Sequence, residues 1–140
     1  MSSLFVVVEV EALELFPFLF EHILHGDALL FFLGGPTEQV PAIFLDLADE
    51  LGCLIMYDLP NCGRLTDLSK ARWEATLRGA MERDFNHPSI FAWVLFNETW
   101  GLGGMEYRED KAAQEWVRSM VRLARGLDPT RLVEDNSPCL

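Results

Sequence analysis

The fold turns on residues 87–101, HPSIFAWVLFNETWG. Pro88 pushes the residue before it out of the helical region, so any preceding helix has ended by His87. From Ser89 to Phe96 the chain is apolar without polar alternation. That pattern belongs to a strand buried on both faces, as in a parallel sheet covered by helices. The run stops on Asn97-Glu98, with Trp100 and Gly101 just beyond. The spacing predicts a covered strand over 89–96 with a carboxyl group at its mouth.

Outward from this strand, helix and strand signals alternate. Pro41 suits a first helical turn, and Ile43, Phe44, Leu47, Ala48 and Leu51 follow at helical spacing, closed by Gly52. CLIMYD, 53–58, has strand length, and LPNCGRLTD reads as loop. Ser69 can cap a helix to about Asp84 with Trp73, Leu77, Ala80 and Met81 on one face. After the central strand, Asp110 caps a helix with Ala113, Trp116, Val117, Met120, Val121 and Ala124 in its apolar stripe. Gly126 stands at the C′ position, and LVED, 132–135, is the last strand. Continuous apolar strands joined by helices imply parallel pairing through right-handed crossovers. The fold class is α/β, an open sheet or part of a (β/α) barrel. In either, ligands meet the carboxyl ends of the strands. Asp58, Asn97, Glu98, Glu134 and Asp135 fall there.

Two zones divide the chain: an atypical apolar segment, 1–36, and the patterned region, 37–140. Half of the 140 residues are hydrophobic and 11% aromatic, enough for one domain with a real core. The net charge of -11 argues against nucleic acid or an anionic membrane as partner. Cys53, Cys62 and Cys139 are odd in number and form no CxxC, which speaks against a disulfide framework or zinc site and fits a reducing compartment. The start has no basic n-region, and no stretch of about 20 residues is free of charge. Together these predict a cytoplasmic location.

The acid at the strand end carries the chemical reading. A carboxyl group at the edge of an apolar site loses hydration and keeps its proton to higher pH. A Glu so placed can give that proton to a leaving oxygen. Asn97 points to the other side of a regular strand, but the chain can turn there and bring both to the rim, where an amide can bond a sugar hydroxyl. Trp100 offers an aromatic plane for the apolar face of a sugar ring. The plainer readings are a solvated loop glutamate and a tryptophan anchored in the core. His22 and His25 could bind metal with Glu21 or Asp27 on a helix, though two ordinary histidines is the more economical reading. GLGG, 101–104, reads as a flexible turn rather than a phosphate loop. Arg83 and Asp84 read as a salt bridge or cap, and Trp73 and Trp116 as packing.

RDFNHPSIFAWVLFNETWG resembles the barrel signature of glycoside hydrolase family 2, the β-galactosidases, β-glucuronidases and β-mannosidases. The matching residues are Arg83, Asp84, Asn86, His87, Pro88, Ser89, Trp93, Asn97 and Glu98. LADELGCLIMYDLPN and ARGLDPTRLVEDNS resemble the flanking barrel segments, so the similarity covers about residues 41–137. The resemblance implies a partial (β/α)8 TIM barrel, about strands three to five with their helices. It implies hydrolysis of a β-glycoside with retention, with Glu98 as general acid/base, Asn97 on the sugar, and no cofactor or metal. His87 would be structural, at the rim opposite Glu98, bonding backbone.

The departures shape the expectation equally. Retention needs a nucleophilic carboxylate about 5–5.5 Å from the first, which the family takes from strand seven. A complete barrel needs about 250 residues, and EHILHGDALLFFLGGP lacks the family's approach to the sugar. The expectation is a fragment, truncated or split, that lacks the nucleophile strand and is inactive alone. Asp58 could replace the nucleophile, since neighbouring strands lie about 4.8 Å apart; a loop or capping acid is the plainer reading. An open half barrel exposes strand edges, so self-association or a complementing barrel fragment is expected. LFVVVEV and ALLFFL could add one or two strands or a helix. The alternatives are a non-catalytic carbohydrate-binding remnant using Asn97, Trp100 and Asp58, and an unrelated α/β interaction domain.

Overall fold

The computed structural model describes residues 6–9, 29–33, 42–99, 102–103 and 107–136, the first two stretches by their backbone alone. Their elements are, in chain order, β1 (Val6–Glu9), β2 (Leu29–Leu33), α1 (Ala42–Leu51), β3 (Leu54–Asp58), α2 (Asp67–Asp84), β4 (Ile90–Val94), α3 (Lys111–Leu127) and β5 (Leu132–Glu134). The strands form one sheet in the order β1-β2-β3-β4-β5. Every neighbouring pair is parallel. A doubly wound sheet reverses its strand order at a switch point. This sheet advances in one direction throughout, as the wall of a (β/α) barrel does. The open-sheet alternative is therefore set aside in favour of a partial barrel. The apolar stretches of the N-terminal zone supply its first two strands, with Val6 opposite Leu29 and Leu30 opposite Leu54.

The three helices cover one face of the sheet. Ile55, Tyr57, Leu59, Trp93 and Leu95 meet Leu45, Leu77, Met81, Val117 and Ala124 in a continuous buried core. Side chains alternate along a strand, so Leu54, Met56, Ala92 and Leu132 lie on the opposite face; Leu54 is 49% and Leu132 67% exposed. Between Ile55 and Met56 the register with β4 slips by one residue, leaving Phe91 as the extra residue of a bulge.

The helices follow the expected spans with three differences. In α1 the buried residues are Leu45 and Ala48, while Ile43 is 67% exposed. Asp46, Asp49 and Glu50 share one side and leave a wide apolar arc with Ile43 at one edge and Leu45 at the other, so periodicity could not fix which part of it faces the sheet. In α2 the N-cap is Thr66 rather than Ser69: Ser69 N–H donates to Thr66 Oγ1 (3.1 Å) and Thr66 N–H to Ser69 Oγ (2.8 Å), a reciprocal capping box. In α3, Gly126 is still helical and Asp128 is the cap, its N–H bonded to Ala124 O at 2.9 Å. Asp110 caps α3 as expected, accepting from Ala112 and Ala113 N–H. Pro41 and Cys139 lie outside the described residues.

Two carboxylates fasten the amino end of β4. Asp128 is fully buried. It accepts from Trp93 Nε1 (2.9 Å), Arg131 Nη1 (2.7 Å) and Thr130 N and Oγ1 (2.9 and 2.6 Å). Arg131 also donates to Ile90 O and His87 O, at 2.6 and 2.8 Å. Asp49 of α1 bonds His87 Nδ1 (2.7 Å) and Ser89 N (2.8 Å). The His87 ring therefore holds a carboxylate where a backbone partner was expected. Arg83 is paired with buried Asp84 at 2.6 Å and reaches Tyr57 Oη at 3.2 Å, the expected salt bridge with an added partner.

Burial alone would raise Asp128, but the hydrogen bonds from Thr130, Trp93 and Arg131 outweigh it and hold the carboxyl well below the usual carboxylate range. Burial would likewise raise Asp49, but the hydrogen bonds from Ser89 and His87 outweigh it and lower its pKa. Both groups are more acidic folded than unfolded. Their stabilisation is complete above the ordinary carboxylate value of about 4 and is lost as pH falls from there through their folded values. Asp128→Ala strands the Trp93 N–H and the Arg131 charge, and should cost about 3–5 kcal/mol in urea unfolding at neutral pH. The gap between variant and parent should narrow below about pH 4; a gap that stays constant would contradict this account.

Candidate functional site

The site lies at the other end of β4. Past Val94 the chain stays buried through Leu95 and Phe96, and Leu95 N–H bonds Glu134 O at 3.0 Å. Phe96 is 1% exposed and closes an aromatic triangle with Trp73 and Trp116. Ring centroids are 4.4 Å apart for Trp73–Phe96, 5.4 Å for Phe96–Trp116 and 5.6 Å for Trp73–Trp116. Trp73 Nε1 donates to Pro60 O at 3.1 Å, tying the loop after β3 to the same platform. Both tryptophans are packing residues, as expected.

On this platform the backbone turns. Glu98 has φ 51° and Thr99 φ 61°. Left-handed backbone costs an L-residue about 1–2 kcal/mol, and more concern attaches to a β-branched one. Three side-chain bonds to the backbone offset this. Asn61 Nδ2 donates to Asn97 O (3.0 Å) and its Oδ1 accepts from Asn97 N (3.1 Å). Asn136 Oδ1 accepts from Thr99 N at 3.1 Å. At about 1 kcal/mol net each, these bonds are of the size the turn requires. Thr99 Oγ1 adds a bond to Glu98 O at 2.6 Å.

Asn97 and Glu98 are thus brought to the carboxyl-end rim, both half-buried. Asp58 ends β3, also half-buried, and pairs with Val94. Glu134 ends β5 and pairs with Val94 from the other side, while Asp135 is exposed. The spacing of neighbouring strands therefore relates Asp58 to Val94 and not to Glu98, which lies four residues further on, about 13 Å of extended chain. Trp100, His22, His25, Glu21 and Asp27 lie outside the described residues, as do Gly101 and Gly104 of GLGG. Cys53 is buried and Cys62 half-buried; burial pushes both thiols up. Among the described residues no helix is long and apolar enough to cross a membrane, and no group of three or more His, Cys, Asp or Glu could hold a metal ion.

Asn61 and Asn136 were not foreseen. Each stands two or three residues past the end of a strand that neighbours β4, in LPN and EDN. Their positions just past those strand ends place them beside the turn, but their backbone partners, 36 and 37 residues away, leave no local sequence signal.

The residues 43–138 match the family model for glycosyl hydrolases family 2, TIM barrel domain. A β-galactosidase of Thermoanaerobacterium thermosulfurigenes is 30% identical over 92 residues, 63% of this chain and 11% of that protein. The apo structure of β-glucuronidase 3 from Bacteroides uniformis superposes with a TM-score of 0.62 at 31% identity, covering 74% of this chain and 13% of that one. A β-D-mannosidase structure from Dictyoglomus thermophilum reaches a TM-score of 0.71 over 92% of this chain and 17% of its own, at 22% identity, a likeness of fold. The chain spans about a tenth of the length of the first two curated relatives it matches.

The aromatic platform is open to direct test. Phe96→Ala should lower stability by about 3–5 kcal/mol in urea unfolding, because neither tryptophan can close the gap without losing its own contacts. A loss under 1 kcal/mol would show that the platform does not support the turn.

Proposed function

This chain belongs to glycosyl hydrolase family 2, within that family's TIM barrel domain, and from that premise we propose that Glu98 is the general acid/base of a retaining β-glycosidase centre. Asn97, Asp58 and Trp100 bind the sugar beside it. The carrying observation is that the covered strand β4 ends in a turn that puts Asn97 and Glu98 half-buried on the rim where a barrel binds its ligand.

In the first step, protonated Glu98 gives its proton to the glycosidic oxygen as the bond from that oxygen to the anomeric carbon breaks. A carboxylate from another strand takes the sugar as a covalent ester. In the second step, ionised Glu98 takes a proton from the water that attacks the anomeric carbon and releases the carboxylate. Asn97 bonds a sugar hydroxyl without adding charge beside the acid. Asp58 would contribute as a sugar ligand rather than as nucleophile, since its pairing with Val94 sets it at a lower level of the sheet than Glu98. The 140 residues by themselves then bind sugar weakly and do not turn over.

Aryl β-galactosides, β-glucuronides and β-mannosides should survive incubation with the 140-residue polypeptide. Turnover by it that Glu98→Gln abolishes would overturn the inactivity. Joined to the remaining strands of a family 2 barrel, the same residues should give hydrolysis. There Glu98→Gln should cut kcat/KM about 10²–10⁴-fold for alkyl glycosides and far less for 2,4-dinitrophenyl glycosides, whose leaving group departs without a proton. An equal loss on both substrates would remove Glu98 as the acid.

A further inference from the structure

We infer that Asn61 and Asn136 are positioning residues for Glu98: their side-chain amides grip the main chain on either side of it and fix where its carboxyl points. This rests on the reading of Glu98 as acid/base and adds to it two residues from the neighbouring strand ends.

The geometry is that of a clamp. Asn61 exchanges two hydrogen bonds with the N–H and C=O of Asn97. This is the pair of bonds that a facing residue of an antiparallel strand would make with its backbone. A side chain thereby stands in for sheet pairing at the point where the β3–β4 ladder has ended. Asn136 takes the N–H of Thr99 from the β5 side. One anchor would leave the chain free to pivot about it. Two anchors, one residue before and one residue after Glu98, fix both peptide planes that flank its Cα. They therefore fix the direction in which its Cα–Cβ bond leaves the main chain, in a left-handed conformation that Glu98 and Thr99 would not adopt unaided. The two amides also do this without charge, so neither competes with the sugar or with a proton on Glu98. Asn61 uses donor and acceptor together, which no aspartate can reproduce. Asn136 uses its acceptor on Thr99, which an aspartate can.

Amide hydrogen exchange on the intact 140-residue chain tests the clamp. Asn136→Ala should speed exchange at Thr99, and Asn61→Ala at Asn97, by at least about tenfold, with Trp93 and Val94 unchanged. Asn136→Asp should keep Thr99 protected, and it serves as the probe if an alanine variant fails to fold. In the barrel-completed protein each alanine variant should lower kcat/KM for alkyl glycosides by about 10²-fold, with little loss on 2,4-dinitrophenyl glycosides and little change in KM. Added to Glu98→Gln, neither should cause a further loss. Unchanged exchange, or an undiminished loss in the Glu98→Gln background, would overturn the clamp and leave the acid in place. A Glu98→Gln variant with full activity on alkyl glycosides would instead overturn the acid, and the positioning role with it.

Discussion

A tryptophan buried in a core must find a partner for its N–H, and in this chain that partner is an ion. Trp93 is fully buried in β4, and its indole bonds the equally buried carboxylate of Asp128 at 2.9 Å. The carboxylate is tolerable there because Arg131 and Thr130 complete its coordination. The same arginine satisfies two carbonyls at the start of β4. The cap of α3, the entry of β5 and the position of β4 are thus settled together. Removing any one of them leaves a buried donor or charge without a partner.

The two ends of β4 divide the work. At the amino end, charged groups fasten the strand: Asp49 through His87 and Ser89, and Asp128 through Arg131. At the carboxyl end the fastenings are neutral amides, and the backbone is held in a conformation it would otherwise avoid. This is the partition a barrel uses, with stability at the base and chemistry at the top. It also explains the composition of the recognisable motif. Arg83, Asp84, His87 and Ser89 precede the strand; His87 and Ser89 hold its start, and Arg83 ties the end of α2 to Tyr57 of β3.

Much of this was legible in the sequence because β4 declares itself. An unbroken apolar run after Pro88 has one economical reading, and the strand, its end at Asn97-Glu98 and the alternating helices follow from it. Legibility failed where residues were locally ambiguous. Leu45 and Ile43 stand at opposite edges of the wide apolar arc of α1, and periodicity does not choose between them. Ser69 reads as the cap of α2 because it is itself half of a capping box with Thr66. Gly126 suggested a helix stop that buried Asp128 makes unnecessary. The N-terminal strands carry no period that separates strand from helix. Asn61 and Asn136 were invisible for another reason: their partners are backbone groups 36 and 37 residues away, and no local pattern encodes a long-range bond to a main-chain amide.

The order of these partners along the chain has a consequence for synthesis. Trp93, His87 and Ile90 are satisfied by residues 35, 44 and 41 positions downstream. At about 5–20 residues per second, a ribosome delivers those partners some 2–9 seconds after the strand that needs them. During that interval the most apolar segment of the patterned region emerges with its indole and carbonyls unmet. The exposure ends when the turn carrying Asp128 and Arg131 clears the exit tunnel, and until then nascent β4 is a natural client for a chaperone.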